Sequence, residues 1–135
     1  MQVSEAPLQE VADIERVIDA FAHEPDGGLI VKGSAFPNLH REQLINRAAL
    51  RRLPAVYEYR HYVTDGGLAS YGTDPNDSYR GAAGYADRIL RGESPGDLPV
   101  QFATKFELVI NTRTAKALGV EVPLALLIRA DELIE

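Results

Sequence analysis

Cysteine is absent from the 135 residues, which excludes thiol catalysis, cysteine-based zinc sites and disulfides. Positive charge is scarce too. Lys and Arg total 14 against 20 Asp and Glu, a formal net charge of −6. A nucleic-acid partner is therefore excluded, because duplex binding needs a basic face to displace counterions. The one adjacent basic pair, Arg51-Arg52, falls near the expected end of a helix, where it complements the helix dipole. No apolar run approaches the ~20 residues that a membrane span needs. Met1-Gln2-Val3-Ser4-Glu5 shows no basic region leading into an apolar stretch, so no signal peptide is expected here, and the signal of an exported parent would lie elsewhere.

Catalytic signatures are also missing. The chain contains no G-x-G-x-x-G, no G-x-x-x-x-G-K-[ST], no H-E-x-x-H and no G-x-S-x-G. Gly81-Ala82-Ala83-Gly84 lies within a helical pattern and reads as close helix packing rather than a phosphate loop. His23, His40 and His61 are far apart and read as surface or capping residues, since histidine metal ligands come in sets. Asp74, Asn76 and Asp77 echo the start of a calcium loop, but the sixth-position glycine and the late glutamate are missing. They read as a loop and helix cap.

What is present is an ordinary globular composition, 45% hydrophobic and 25% charged, which is too apolar for a disordered chain. Val11, Ile14, Val17, Ile18 and Phe21 recur at helical spacing, and Pro25-Asp26-Gly27-Gly28 stops that helix. Leu29-Ile30-Val31 reads as a short buried strand and residues 32–37 as a loop. Asn38 is expected to cap a helix over 39–52 with Leu44, Ile45, Ala48 and Ala49 inward. A second strand spans 55–59. This alternation implies a parallel sheet with helices packed on its faces.

Farther along, a helical turn covers 60–64 and a third strand 68–71. A helix over 77–91 is expected to bury Ala82, Ala83, Ala86, Ile89 and Leu90, with Gly92 closing it. A connector spans 94–99, a fourth strand 106–110 and a helix 112–118 ending at Gly119. Pro123 starts a last turn.

In an open parallel sheet, ligands sit beyond the carboxyl ends of the strands. The candidates there are Ser34 and Phe36 after the first strand, Glu58, Tyr59 and Arg60 after the second, and Ser70 and Tyr71 at the end of the third. Phe36, Tyr59 and Tyr71 offer aromatic faces, while Glu58, Arg60 and Ser34 would fix polar ends. Packing tyrosines and a surface Glu58–Arg60 pair are the competing account of the same residues. Ser34 is the one tempting nucleophile for an enzyme or sensor on a flavodoxin-like sheet, and no histidine is placed beside it in sequence.

Four stretches carry a family resemblance. They are Glu24-Pro25-Asp26-Gly27-Gly28-Leu29-Ile30-Val31, Leu53-Pro54-Ala55-Val56-Tyr57, and Gly66-Gly67-Leu68-Ala69-Ser70-Tyr71-Gly72 with Asp77, Tyr79-Arg80 and Arg88-Ile89-Leu90-Arg91-Gly92 after it. The most specific is Leu98-Pro99-Val100-Gln101, then 104–111, then Thr114-Ala115-Lys116-Ala117-Leu118-Gly119. The chain thereby resembles the C-terminal portion of substrate-binding proteins of ABC importers, of the tryptophan/tyrosine-binding type. The resemblance implies an α/β fold: a parallel-sheet, Rossmann-like lobe of a type I periplasmic-binding-protein fold, with an incomplete second lobe.

It also implies a non-enzymatic protein without cofactor or metal. Such a protein is periplasmic, binds a small organic solute of amino-acid or aromatic-acid type between lobes, and serves an ABC permease. Residues 77–92 would pack with the other lobe, the chain leaving near 68–71 and returning at 106–110. Relatives often carry a proline and an acidic residue where this chain has Lys32-Gly33-Ser34, so either a different solute or impaired binding is expected. An incomplete two-lobed protein would expose an apolar interface, so the alternative expectation is a truncated remnant or structural domain that binds no solute and self-associates, as a homodimer.

Overall fold

The computed structural model describes residues 3–24 and 26–135. Helix α1 (Val11–Ala22) begins where Asp13 turns back to accept the backbone N–H groups of Gln9 and Glu10 at 2.9 and 3.1 Å. Those donors have no partner inside the helix, and a carboxylate is favoured at a helix N-terminus. The expected stop at Pro25 lies outside the described residues, and Asp26 beyond it takes a left-handed φ of 58°.

Strand β1 (Leu29–Val31) leads into α2 (Ala35–Leu39), where the sequence reads as a loop, and then α3 (Arg41–Leu50). Pro37 is admitted because it stands in the first turn of α2, where its missing N–H has no intrahelical partner to lose. Asn38 therefore caps nothing; Ser34 precedes α2 and His40 precedes α3. Asn38 instead accepts the Tyr62 hydroxyl at 2.9 Å.

Next come β2 (Ala55–Tyr57), α4 (Arg60–Thr64), β3 (Ala69–Thr73) and α5 (Pro75–Leu90). A 3-10 turn at Pro95–Asp97 precedes β4 (Phe106–Asn111), α6 (Thr112–Leu118), α7 (Leu124–Arg129) and β5 (Glu132–Ile134). The sequence patterns do not resolve β5. It is held beside β4 partly by Asp131, whose carboxylate accepts the Leu108 N–H at 2.7 Å.

The sheet runs β1-β2-β3-β4-β5. β1, β2 and β3 are parallel neighbours, and so are β4 and β5; β3 and β4 pair antiparallel, Ala69 opposite Ile110 through Thr73 opposite Phe106. The architecture is thus the expected α/β one with a mostly parallel sheet.

Helices do not pack on both faces throughout. Ala55 and Tyr57 of β2 are 2% exposed and join Ile14, Ile18, Leu44, Ile45, Ala48, Leu53 and Tyr62 in the main core. The Tyr57 and Tyr62 rings stack there at 4.7 Å, and burial pushes the Tyr62 phenol up to about 12. On the opposite face Ile30 is 83% exposed, with Val56, Tyr71 and Phe106 also open to solvent. Ala49, expected inward, is exposed because the buried face of α3 is completed by Leu44, Ile45 and Ala48.

Helix α5 departs further. None of its residues is buried, and Ala82, Ala83, Ala86, Ile89 and Leu90, expected inward, are all exposed. A Cβ added at Gly81 or Gly84 would meet nothing within 4 Å. The helix still forms where its sequence says. The Asp74 side chain accepts the Asn76 N–H at 2.9 Å, Pro75 occupies the first turn, and Gly92 follows the helix at φ 101°.

Arg51 lies at the C-terminus of α3, but its main partner is Asp19 of α1. That carboxylate takes two bonds from Arg51 at 2.8 and 2.7 Å and two from Arg47 at 2.8 and 2.6 Å. The bonds from Arg51, then those from Arg47, hold the Asp19 carboxyl well below the usual carboxylate range. Asp13, bonded to Arg16, is lowered to about 2. A carboxyl depressed in the folded state adds stability that is complete above its unfolded value of 3.8 and disappears as pH falls through the folded one. Stability measured by urea unfolding should therefore decline from about pH 4 downward, and Asp19→Asn should flatten that acid limb. An unchanged acid limb in Asp19→Asn would show that the α1–α3 clamp contributes nothing.

Candidate functional site

Because β1, β2 and β3 are parallel, Val31, Tyr57 and Thr73 end their strands at one edge of the sheet. The antiparallel β4 begins at that same edge, with Phe106 opposite Thr73. A groove of about 430 Å³ lies there and extends onto the open sheet face. Its apolar floor is Ile30, Val56, Tyr71 and Phe106; the Tyr71 and Phe106 rings stack at 5.5 Å and 20°. Lys32, Glu58 and Thr73 supply its polar groups, with Val31, Tyr57 and Gly72 behind them. An interior void of about 10 Å³ near Ile45 and Leu118 is too small for any solute.

The strand ends interlock closely. The Gly33 N–H donates to Glu58 Oε2 at 2.7 Å, tying the loop after β1 to the loop after β2. The Tyr59 ring lies over Gly33, so that an added Cβ would come within 2.2 Å of it. At Gly72 a Cβ would be 2.0 Å from the backbone oxygen of Glu58. Glycine here is required by the approach of neighbouring chain. Burial first, and then the charge of Glu58, raise the Tyr59 phenol.

The sequence-predicted site residues are distributed unevenly. Glu58 and Tyr71 line the groove. Tyr59 is half-buried beside it, over Gly33. Ser34 is exposed at the start of α2, and no histidine bonds to it among the described residues. Phe36 packs against the main core and against His40, ring centroids 4.5 Å apart. Arg60 pairs with Glu132 at 2.5 Å rather than with Glu58. Ser70 is 1% exposed on the covered side, opposite its neighbour Tyr71.

Ile30, Val56, Thr73 and Phe106 enter the groove without having been singled out from sequence, and Lys32 was marked there only as a departure from relatives. Strand alternation carried the signal for Ile30 and Val56, whose flanking residues face the core. Among the described residues no group of three or more His, Asp or Glu is placed to hold a metal ion. The groove offers flat and branched apolar surface with a carboxylate and an ammonium at its rim. That arrangement can hold a small molecule with an apolar body and polar ends.

The family described as ABC transporter substrate binding protein matches residues 1–134. No curated protein matches the chain. Among solved structures, a conserved domain protein from Vibrio cholerae is 31% identical with a TM-score of 0.80, over 90% of this chain and 41% of its own. An ABC domain from Streptococcus pneumonia in complex with L-Trp is 23% identical, TM-score 0.79, over 91% of this chain and 42% of its own. A ligand-free, open substrate-binding protein with adhesive properties from Clostridium difficile is 21% identical, TM-score 0.66, over 94% of this chain and 42% of its own. The chain thus spans about two fifths of the length of these structures.

Two glycine classes should respond oppositely to alanine. Gly72→Ala drives a methyl group into the Glu58 backbone and should cost about 1–3 kcal/mol, in the range of overpacked sites. Gly81→Ala, in open space on α5, should stabilise by roughly 0.5–1 kcal/mol through helix propensity. Paired denaturant melts test both; equal effects would contradict the close approach at Gly72.

Proposed function

We propose that this chain, which belongs to the ABC transporter substrate binding protein family, forms one wall of a site that captures a small organic solute for an ABC permease in the membrane. The carrying observation is the groove where three parallel strands end, with aromatic and aliphatic surface beside Lys32, Glu58 and Thr73. That is where ligands sit in open α/β sheets. The solute is of amino-acid or aromatic-acid type, a reading supported by the Tyr71–Phe106 pair and by the L-Trp bound in the related Streptococcus domain. Binding, not catalysis, is the role, and no cofactor takes part. The location proposed is the periplasm.

A second lobe supplies the facing wall in this reading. Residues 74–105 leave the sheet from β3 and return to its neighbour β4, and α5 within them buries no residue. Such a segment suits packing against another lobe, with closure around the solute by movement at the β3 and β4 crossings. Ser34, Tyr59 and Arg60 stand at the strand ends where that closure would bring them toward the solute. The exposed Ile30 face and α5 also support a second reading, self-association into a homodimer. A concentration-independent monomer in light scattering would remove it.

A thermal-shift series with aromatic amino acids, aromatic acids and branched-chain amino acids tests the main reading. One class should raise the melting temperature in a concentration-dependent way, and Tyr71→Ala should reduce the shift. Calorimetry on the 135-residue chain should give a dissociation constant weaker than low micromolar, because one wall covers only part of a solute that a closed site would bury. No shift with any class at saturating concentration would refute the assignment.

A further inference from the structure

Glu58 is the one polar groove residue whose position is held by a hydrogen bond to a distant part of the chain. Its Oε2 accepts the part-buried Gly33 N–H at 2.7 Å, across two strand ends. No Lys or Arg forms an ion pair with it among the described residues, although Asp13, Asp19, Asp65, Asp87, Glu93 and Glu132 all have such partners. Lys32, also in the groove, is exposed, with no ion pair or side-chain hydrogen bond among the described residues. It must lose the rotamer freedom of a long side chain before it can hold anything. The fixed carboxylate is therefore the preorganised recognition point, and the lysine an adaptable one. The apolar floor carries the stacked rings of Tyr71 and Phe106, whose faces also attract a cation.

We infer that Glu58 makes the groove selective for solutes bearing a protonated amine on an aromatic or branched apolar body, and that a carboxylate on the solute is not required. This rests on the solute-binding reading above and goes beyond it by naming the group recognised and the residue that recognises it. Gly33 is a positioning residue: its N–H holds the carboxylate, and the absence of a Cβ leaves room for the Tyr59 ring.

Nitrogen-15 and aromatic carbon-13 NMR of the 135-residue chain provide the test, since chemical shifts report millimolar binding and the Gly33 amide lies on the proposed contact. The probes share one phenyl body: phenethylamine, phenylalanine, 3-phenylpropionate and 2-phenylethanol. Phenethylamine and phenylalanine should both shift the Gly33 amide and the Tyr71 and Phe106 ring signals. They should bind about ten-fold more tightly than the acid or the alcohol, the effect of one charge-assisted hydrogen bond. Glu58→Gln should bring phenethylamine to the level of the alcohol.

Ring shifts of equal strength with all four probes would overturn the role of Glu58 and leave the solute-binding reading standing. So would a preference for phenethylamine that survives Glu58→Gln. Binding of phenylalanine without phenethylamine would show that the carboxylate is required and overturn the inference. No shift with any probe would overturn the inference, and the absence of shifts with leucine and isoleucine as well would overturn both readings.

Discussion

The antiparallel ladder between β3 and β4 organises everything beyond the first half of the molecule. Five residue pairs, from Ala69 opposite Ile110 to Thr73 opposite Phe106, join strands separated by the whole of residues 74–105. The ladder's far end continues in the Asn111 N–H, which donates to the Leu68 carbonyl at 2.8 Å. Asn111 then starts α6 by accepting the Thr114 N–H at 2.8 Å, and the Thr114 hydroxyl returns to the Gly66 carbonyl at 3.0 Å. Its near end sets Phe106 beside Tyr71 in the groove. Sheet, helix start and groove wall therefore share one register, and a slip by one residue would move every β4 side chain to the wrong face.

The intervening segment is free to project because the ladder closes the sheet beneath it. Helix α5 has strong local determinants: an Asp74 cap, Pro75 in the first turn and Gly92 after the last. None of its residues is fully buried within the described chain. Helical stability in proteins comes mostly from packing of an apolar face. The apolar positions of α5 stay exposed in these 135 residues, a chain that spans about two fifths of the length of the structures it resembles.

At the groove, proximity replaces polar variety. Gly33, after β1, and Gly72, within β3, let the Glu58-Tyr59 segment after β2 approach to distances that a single methyl group would prevent. Glu58 bridges the resulting junction from its side chain to Gly33, with its backbone oxygen against Gly72. A rigid junction of this kind holds a recognition group in place before the solute arrives, which lowers the cost of ordering it on binding.

Local pattern alone determined the order of most elements. The helical spacing of Ile14 and Ile18, the short β-branched run at 29–31 and the stop at Gly119 act over a few residues, and each element formed near where it reads. Glu58 and Tyr71 were legible as groove residues because they stand where parallel strands end. Tertiary structure decided the rest. It set which face of the sheet stays uncovered, the antiparallel direction of β4 that brings Phe106 to the groove, the burial of Ser70 and the engagement of Arg60 by Glu132. It also denied α5 the packing that its apolar spacing implies. The reason is physical: periodicity encodes that a side chain should be buried, whereas the partner that buries it is chosen by contacts between residues far apart in the chain.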